Sequence, residues 1–168
     1  MKKGVIIGLV LAVALFASCA TGGAPKEPVS YKVYAADATL ESPNGNLQIE
    51  TGGAQPNVGY WGQLDDVVSW EITVEYSCDY EVFINYSLAE TFTGSVVEVR
   101  IGDQVLEWTA ESTAEDWSNF INKSIGTVTL EAGTYPLVMQ AIVPCEGDQY
   151  DQHFVANVRK VTLTTVSK

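Results

Sequence analysis

Histidine is almost absent from this chain: of 168 residues, only His153 carries an imidazole. Counting alone therefore excludes a histidine-rich metal site, and a Ser-His-Asp triad would leave no histidine to spare. Basic side chains are also scarce. Nine lysines and arginines stand against 21 acids, a net charge of −12. That balance argues against the clustered basic surface needed for nucleic-acid phosphates, and against docking on anionic lipid through a polybasic patch. There is no Gly-x-Ser-x-Gly elbow, no His-x-x-x-His pair and no phosphate loop. With 21 acids, chance carboxylate pairs are inevitable, so they give no weight to a glycosidase reading. Charged residues are only 18% of the chain while hydrophobic residues are 46%. Such a composition folds, and the length suits one domain of ordinary size.

What is present begins with an export signal. Met1-Lys2-Lys3 is a short basic start, and residues 4–16 are an almost unbroken apolar run. Thirteen residues are too few for a permanent membrane span but suit the core of a signal peptide. The run ends in Leu15-Phe16-Ala17-Ser18-Cys19, which resembles a bacterial lipobox, with Phe16 in place of the usual leucine. Residues 1–18 are thus read as a lipoprotein signal peptide, and Cys19 as the acylated (palmitate-type) membrane anchor. Ordinary cleavage after Ala20 also satisfies the small-x-small rule. Removing residues 1–18 takes Lys2 and Lys3 and no acid, leaving 7 basic and 21 acidic side chains, a net charge of −14. Residues 19–30 are small, polar and proline-containing and read as a flexible tether. Residues 31–168 form the folded domain. The expected location is the bacterial cell envelope, lipid-anchored to the outer membrane or cell surface. With Cys19 acylated, Cys78 and Cys145 are the remaining thiols of an exported chain, so a disulfide between them is expected, stabilising by roughly 4 kcal/mol.

From Tyr31 onward the period is two. Val68, Trp70, Ile72, Val74 and Tyr76 share one face, and Ser69, Glu71, Thr73 and Glu75 share the other. That is a strand with one side in a core and one in water. The alternation recurs through Tyr80, Val82, Ile84 and Tyr86, through Val97, Val99 and Ile101, and through Tyr135, Leu137, Met139, Ala141 and Val143. Residues 125–130 and 155–163 are less regular, the latter with a bulge expected near Lys160. Turn residues separate these runs: Ser77-Cys78-Asp79, Gly102-Asp103 and Ala132-Gly133-Thr134. No stretch holds a helical period over three turns. Eight to ten strands in one domain predict an all-β fold, an antiparallel β-sandwich of jelly-roll type.

The order of the pieces carries a resemblance. Tyr34-Ala35-Ala36-Asp37-Ala38-Thr39-Leu40 opens the domain, Val58-Gly59-Tyr60-Trp61 follows, and Asp65-Asp66-Val67-Val68-Ser69-Trp70 leads to Cys78-Asp79-Tyr80. Then come Ser95-Val96-Val97-Glu98-Val99-Arg100-Ile101-Gly102, Glu115-Asp116-Trp117-Ser118-Asn119-Phe120, Leu130-Glu131-Ala132-Gly133-Thr134-Tyr135 and Ala156-Asn157-Val158. Over residues 33–164 this order resembles the carbohydrate-binding modules of families 6 and 35, with their galactose-binding-like jelly roll. The Gly-Tyr-Trp variant is similar to modules appended to some bacterial sulfatases and fucosidases. The resemblance implies a sugar held at one end of the sandwich between two aromatics, with an asparagine on its hydroxyls. Tyr60 or Trp61 matches the first aromatic, Trp117 the second, and Asn157 the asparagine. The chemistry is sound on its own terms, because a pyranose packs its C–H face on a π-surface and amides both donate to and accept from hydroxyls.

The family's opening Glu-Ala-Glu, which holds a structural calcium, is matched here by positions Tyr34 and Ala36, with only Asp37 close by. No metal and no cofactor are expected. The loop of residues 146–151 is read as a solvated acidic loop. Trp70 reads as packing, Phe120 as a buried anchor, Trp108 as cover for the sandwich edge, and His153 as a loop residue. The function so implied is non-catalytic binding of a neutral or cationic glycan. The alternative is an envelope structural or protein-interaction lipoprotein using the same fold without sugar, since fold does not fix function. Intact-mass analysis of the membrane-extracted protein should find the mature chain beginning at an acylated Cys19; a free amino terminus at Thr21 with no acyl mass would contradict the lipobox reading.

Overall fold

The computed structural model describes residues 25–145 and 154–166. The signal peptide, Cys19, the acidic loop of residues 146–151 and His153 lie outside the described residues. Eleven strands form two antiparallel sheets packed face to face, the β-sandwich expected from the period-two pattern. The strands are β1 (Ser30–Tyr34), β2 (Thr39–Glu41), β3 (Gln48–Glu50), β4 (Asn57–Gly59), β5 (Val67–Val74) and β6 (Cys78–Ser87). They continue with β7 (Val96–Ile101), β8 (Gln104–Thr109), β9 (Ile121–Leu130), β10 (Gly133–Val143) and β11 (Asn157–Thr165). The first sheet has the order β3-β4-β11-β6-β9, with β1 also paired to β11; the second has the order β2-β5-β10-β7-β8.

The alternation sorts each strand's side chains between core and solvent. Val68, Trp70, Ile72 and Val74 of β5 meet Tyr80, Val82, Ile84 and Tyr86 of β6 in one continuous core with Val99, Leu137, Met139 and Leu163. Large side chains of this kind stabilise by about 1.5–3 kcal/mol each when fully buried. Where core residues carry polar atoms, most find partners. Tyr86 donates its hydroxyl to the Glu111 carbonyl at 3.0 Å, packs edge-on against Trp108 at 4.5 Å, and burial pushes its phenol above its ordinary range. Trp70 donates its indole N–H to the Tyr34 carbonyl at 2.8 Å. Trp108, on the edge strand β8, is buried and closes the core at that edge of the sheet.

The expected bulge in β11 is present between Val158 and Lys160. It breaks the alternation so that Arg159 and Lys160 both lie outside while Val158 and Val161 both face the core. Phe120 is only half-buried, a correction to its reading as a buried anchor, because its ring is the platform for the Arg159 guanidinium 3.4 Å above it.

The strand directions overturn the expected disulfide. No bridge joins Cys78 and Cys145. Cys78 opens β6 opposite Leu130, at the end of the sandwich where β9 turns into β10. Cys145 follows the far end of β10, an eleven-residue strand. At about 3.3 Å per residue the two lie roughly 30 Å apart, against a Cα separation of about 7 Å that a disulfide tolerates. Both residues do sit beside strand ends, but at opposite ends. Peptide mapping without reductant should therefore recover Cys78 and Cys145 in separate peptides, and a cross-linked species containing both would contradict this topology.

Candidate functional site

The end of the sandwich that carries the β4–β5, β6–β7 and β8–β9 connections also holds the start of β11. An open groove of about 280 Å³ lies there, lined by Glu50, Tyr60, Trp117, Phe154 and Asn157. Three of the four residues picked out from sequence thus share one depression, and they arrive from three separate parts of the chain.

Tyr60 and Trp61 are separated by the backbone. Tyr60 is the sole described non-glycine residue with positive φ, at 54°, a left-handed conformation that costs an ordinary side chain about 1–3 kcal/mol and persists only where its surroundings impose it. Here the imposed result is a split. Trp61 turns into the core with 1% of its surface exposed, while Tyr60 keeps 49% exposed at the groove. Of the two alternatives left open by sequence, Tyr60 is the one that lines the groove. Trp61 is a correction to the candidate list, since a ring sealed in the core cannot stack on a ligand. It still shapes the site: its carbonyl accepts the Val155 N–H at 2.8 Å, tying the Tyr60 turn to the segment that leads into Asn157. The following loop is fixed by Asp66, wholly buried, whose carboxylate accepts the Gly62 and Gln63 N–H groups at 3.2 and 3.0 Å and the Ser42 hydroxyl at 2.5 Å.

Trp117 comes from the polar segment between β8 and β9. That segment is pinned to the β6–β7 connection: Leu88 N–H donates to Thr113 Oγ1 and Thr113 N–H to the Leu88 carbonyl, both at 3.0 Å. Asn119 donates to the Thr113 carbonyl at 2.6 Å, closing the loop on itself. Beside the ring, Asp116 accepts the N–H and hydroxyl of Ser118, which hold its carboxyl below the usual carboxylate range. The indole is half-buried because two phenylalanines support it. Phe92 lies 5.5 Å away at a 32° tilt, and Phe154 is edge-on at 5.9 Å; the two phenylalanines are themselves edge-on at 5.1 Å. Such pairs add about 0.5–1.5 kcal/mol each beyond burial, enough to hold the indole in one orientation.

Glu50 and Phe154 line the groove and Phe92 supports it, and none of the three was identified from sequence. Glu50 sits on the three-residue edge strand β3, with only Ile49 between it and Gln48 to show a period, and nothing in its neighbourhood links it to Tyr60. Its carboxylate accepts the amide N–H of Asn57 at 2.8 Å. It also lies across Gly59, where a Cβ would stand 2.0 Å from Glu50 Oε2; the absence of a side chain at position 59 is what lets the carboxylate lie there. Glu50 is the one carboxylate among the described lining residues. Among the described residues no group of three metal-ligating side chains comes together. Tyr34 and Ala36 are exposed near Asp37.

No protein-family model matches this chain. No curated protein matches it either. Solved structures do, and they share its fold. A family 35 carbohydrate-binding module from Clostridium thermocellum superposes with a TM-score of 0.59 at 18% identity, over 82% of this chain and 97% of that one. The C-terminal family 6 module of a marine laminarinase from Zobellia galactanivorans gives 0.61 at 21% identity, over 82% of this chain and 100% of that module. A module from Cellvibrio mixtus lichenase 5A, in complex with cellotriose, gives 0.58 at 17% identity, over 82% and 97%. The fold is that of the family 6 and family 35 carbohydrate-binding modules.

Replacing Gly59 by alanine should push the Glu50 carboxylate off Asn57 while leaving the strand intact, since only a flexible side-chain end stands in the way. The Asn57 side-chain amide resonances should move alike in Gly59→Ala and Glu50→Ala, and the double variant should add nothing; unchanged Asn57 amides in Gly59→Ala would contradict the contact.

Proposed function

We propose that this protein is a non-catalytic glycan-binding module, held at the bacterial envelope by an acylated Cys19 through the tether of residues 19–30. The observation that carries the reading is the convergence of Tyr60, Trp117 and Asn157 on one open groove. A sugar ring lies with its C–H face on Trp117 and its edge toward Tyr60. Asn157 and Glu50 meet the hydroxyls, the amide both donating and accepting, the carboxylate accepting only. Shared architecture with modules that include one solved with cellotriose supports the assignment.

The groove's charge selects among sugars. Glu50 is the one charged residue among its described lining residues, so a neutral ring or one bearing an amino group is favoured there, and a uronic or sulfated unit at this position is repelled. One stacked ring and a few hydrogen bonds in a wet groove give about 4–7 kcal/mol, a dissociation constant on the order of 10 μM to 1 mM.

A glycan array on the intact protein, followed by calorimetry of the best ligand, tests this. Trp117→Ala and Tyr60→Ala should each weaken binding roughly tenfold or more, about 1.4 kcal/mol. Trp117→Ala should also lower the melting temperature by several degrees, since its contacts with Phe92 and Phe154 are lost, so binding is compared well below that transition. Glycan binding that neither substitution affects would overturn the site. If no glycan binds and a protein partner is captured from envelope extracts, the interaction-lipoprotein reading replaces it.

A further inference from the structure

Two of the six basic side chains in the described residues are paired: Arg100 with Glu98, and Lys123 with Glu111. Lys26 belongs to the tether. The other three, Lys32, Arg159 and Lys160, all lie on the outer face of the sheet that contains β11, and among the described residues none of their side chains makes an ion pair or a hydrogen bond. In a chain of net charge −12, gathering the unpaired cations of the described strands on one face is a separation of charge that stability does not require.

The register shows how they are set out. Lys32, Thr162, Phe83 and Ser124 form one cross-strand row, and Tyr34, Lys160, Asn85 and Asn122 form the next. Lys32 and Lys160 are diagonal neighbours, about 7–8 Å apart at the backbone. Between the rows is an open depression of about 260 Å³ lined by Lys32, Phe83, Asn122, Lys160 and Thr162. Phe83 is an aromatic on the solvent side of a sheet, where the alternation otherwise places polar residues. Asn85 donates to Asn122 Oδ1 at 3.1 Å and to the Ile121 carbonyl at 3.2 Å, leaving the Asn122 amide N–H group available to a ligand. Two acids share this face: Glu81, one row from Lys32, accepts from Ser124, and Asp79, a further row away, accepts from Thr129, both at 2.7 Å. Asp37 shares with Arg159 and Tyr34 a separate depression.

We infer that this sheet face is a second, independent binding surface, for an anionic polysaccharide. Lys32 and Lys160 take its carboxylate or sulfate groups, Phe83 takes the C–H face of a ring, and Asn122 and Thr162 take hydroxyls. An ordinary acidic protein surface would satisfy the lysines but would have no use for a lone aromatic set among an amide and a hydroxyl. The overall negative charge does not prevent this, because fields at the surface are local. The inference does not rest on the groove at the end of the sandwich, and the two fail separately.

The test is calorimetry of the intact protein in about 20 mM salt, where surface charges are weakly screened. The probes are polygalacturonate (carboxylate), dextran sulfate (sulfate), neutral dextran and polyglutamate. At least one of the first two should bind, and which one does identifies the anionic group. Lys32→Gln/Lys160→Gln should weaken that binding on the order of tenfold and flatten its salt dependence. Phe83→Thr should weaken it severalfold at unchanged salt dependence, and Trp117→Ala should leave it unaltered. Absence of binding to both anionic polymers would overturn the inference, as would binding indifferent to the lysines or to Phe83. Polyglutamate bound as tightly as the polysaccharide would also overturn it, showing a patch that reads charge alone.

Discussion

The binding end of this molecule depends on a single backbone turn at which two adjacent aromatics part. Were residues 60 and 61 in ordinary strand conformation, their side chains would still point to opposite faces, but the chain would continue along the sheet. The positive φ at Tyr60 turns it instead, so that Trp61 plugs the core and Tyr60 stands at the rim. Sealing an indole in the core is worth about 3–5 kcal/mol relative to alanine, more than the 1–3 kcal/mol that the left-handed residue costs. The Trp61 carbonyl then receives the Val155 N–H, which brings the β11 entry and Asn157 alongside. Stability of the core and placement of the groove are thus consequences of the same residue.

Trp117 is placed by a different device. It lies on a connection with no strand of its own, and it would be free to swing were it not for Phe92 and Phe154 beneath it. A ring held against two others has lost its rotamer freedom before any ligand arrives, so less entropy remains to be lost on binding. The Asp116–Ser118 turn and the Thr113–Leu88 hydrogen bonds give the backbone around it the same preparation.

Much of this was readable in the sequence, for identifiable reasons. Strands β5, β6, β7 and β10 announce themselves because each buries one face and wets the other, and the bulge near Lys160 shows as a broken alternation. Tyr60, Trp117 and Asn157 were legible through the order of motifs, which preserves the loops in sequence even where no single motif is diagnostic. Choosing between Tyr60 and Trp61 was not possible, because the choice rests on a backbone dihedral that neither side chain encodes alone. Glu50 was invisible since its role comes from crossing Gly59 on a neighbouring strand. The Cys78–Cys145 expectation failed for a related reason: period two marks where strands end but not at which end of the sandwich. Nor does the composition reveal that Lys32, Arg159 and Lys160 collect on one sheet face.

The central claim, that Tyr60 and Trp117 form the sugar-contacting surface while the other tryptophans serve the core, can be read in one titration. The chain has four tryptophans, and each gives one indole N–H resonance in a nitrogen-15 correlation spectrum. Trp61, Trp70 and Trp108 are buried, whereas Trp117 lines the groove. Titrating in the best-binding oligosaccharide should move the Trp117 indole resonance progressively and leave the other three in place. A stationary Trp117 signal, with shifts appearing elsewhere in the spectrum on saturation, would contradict the account.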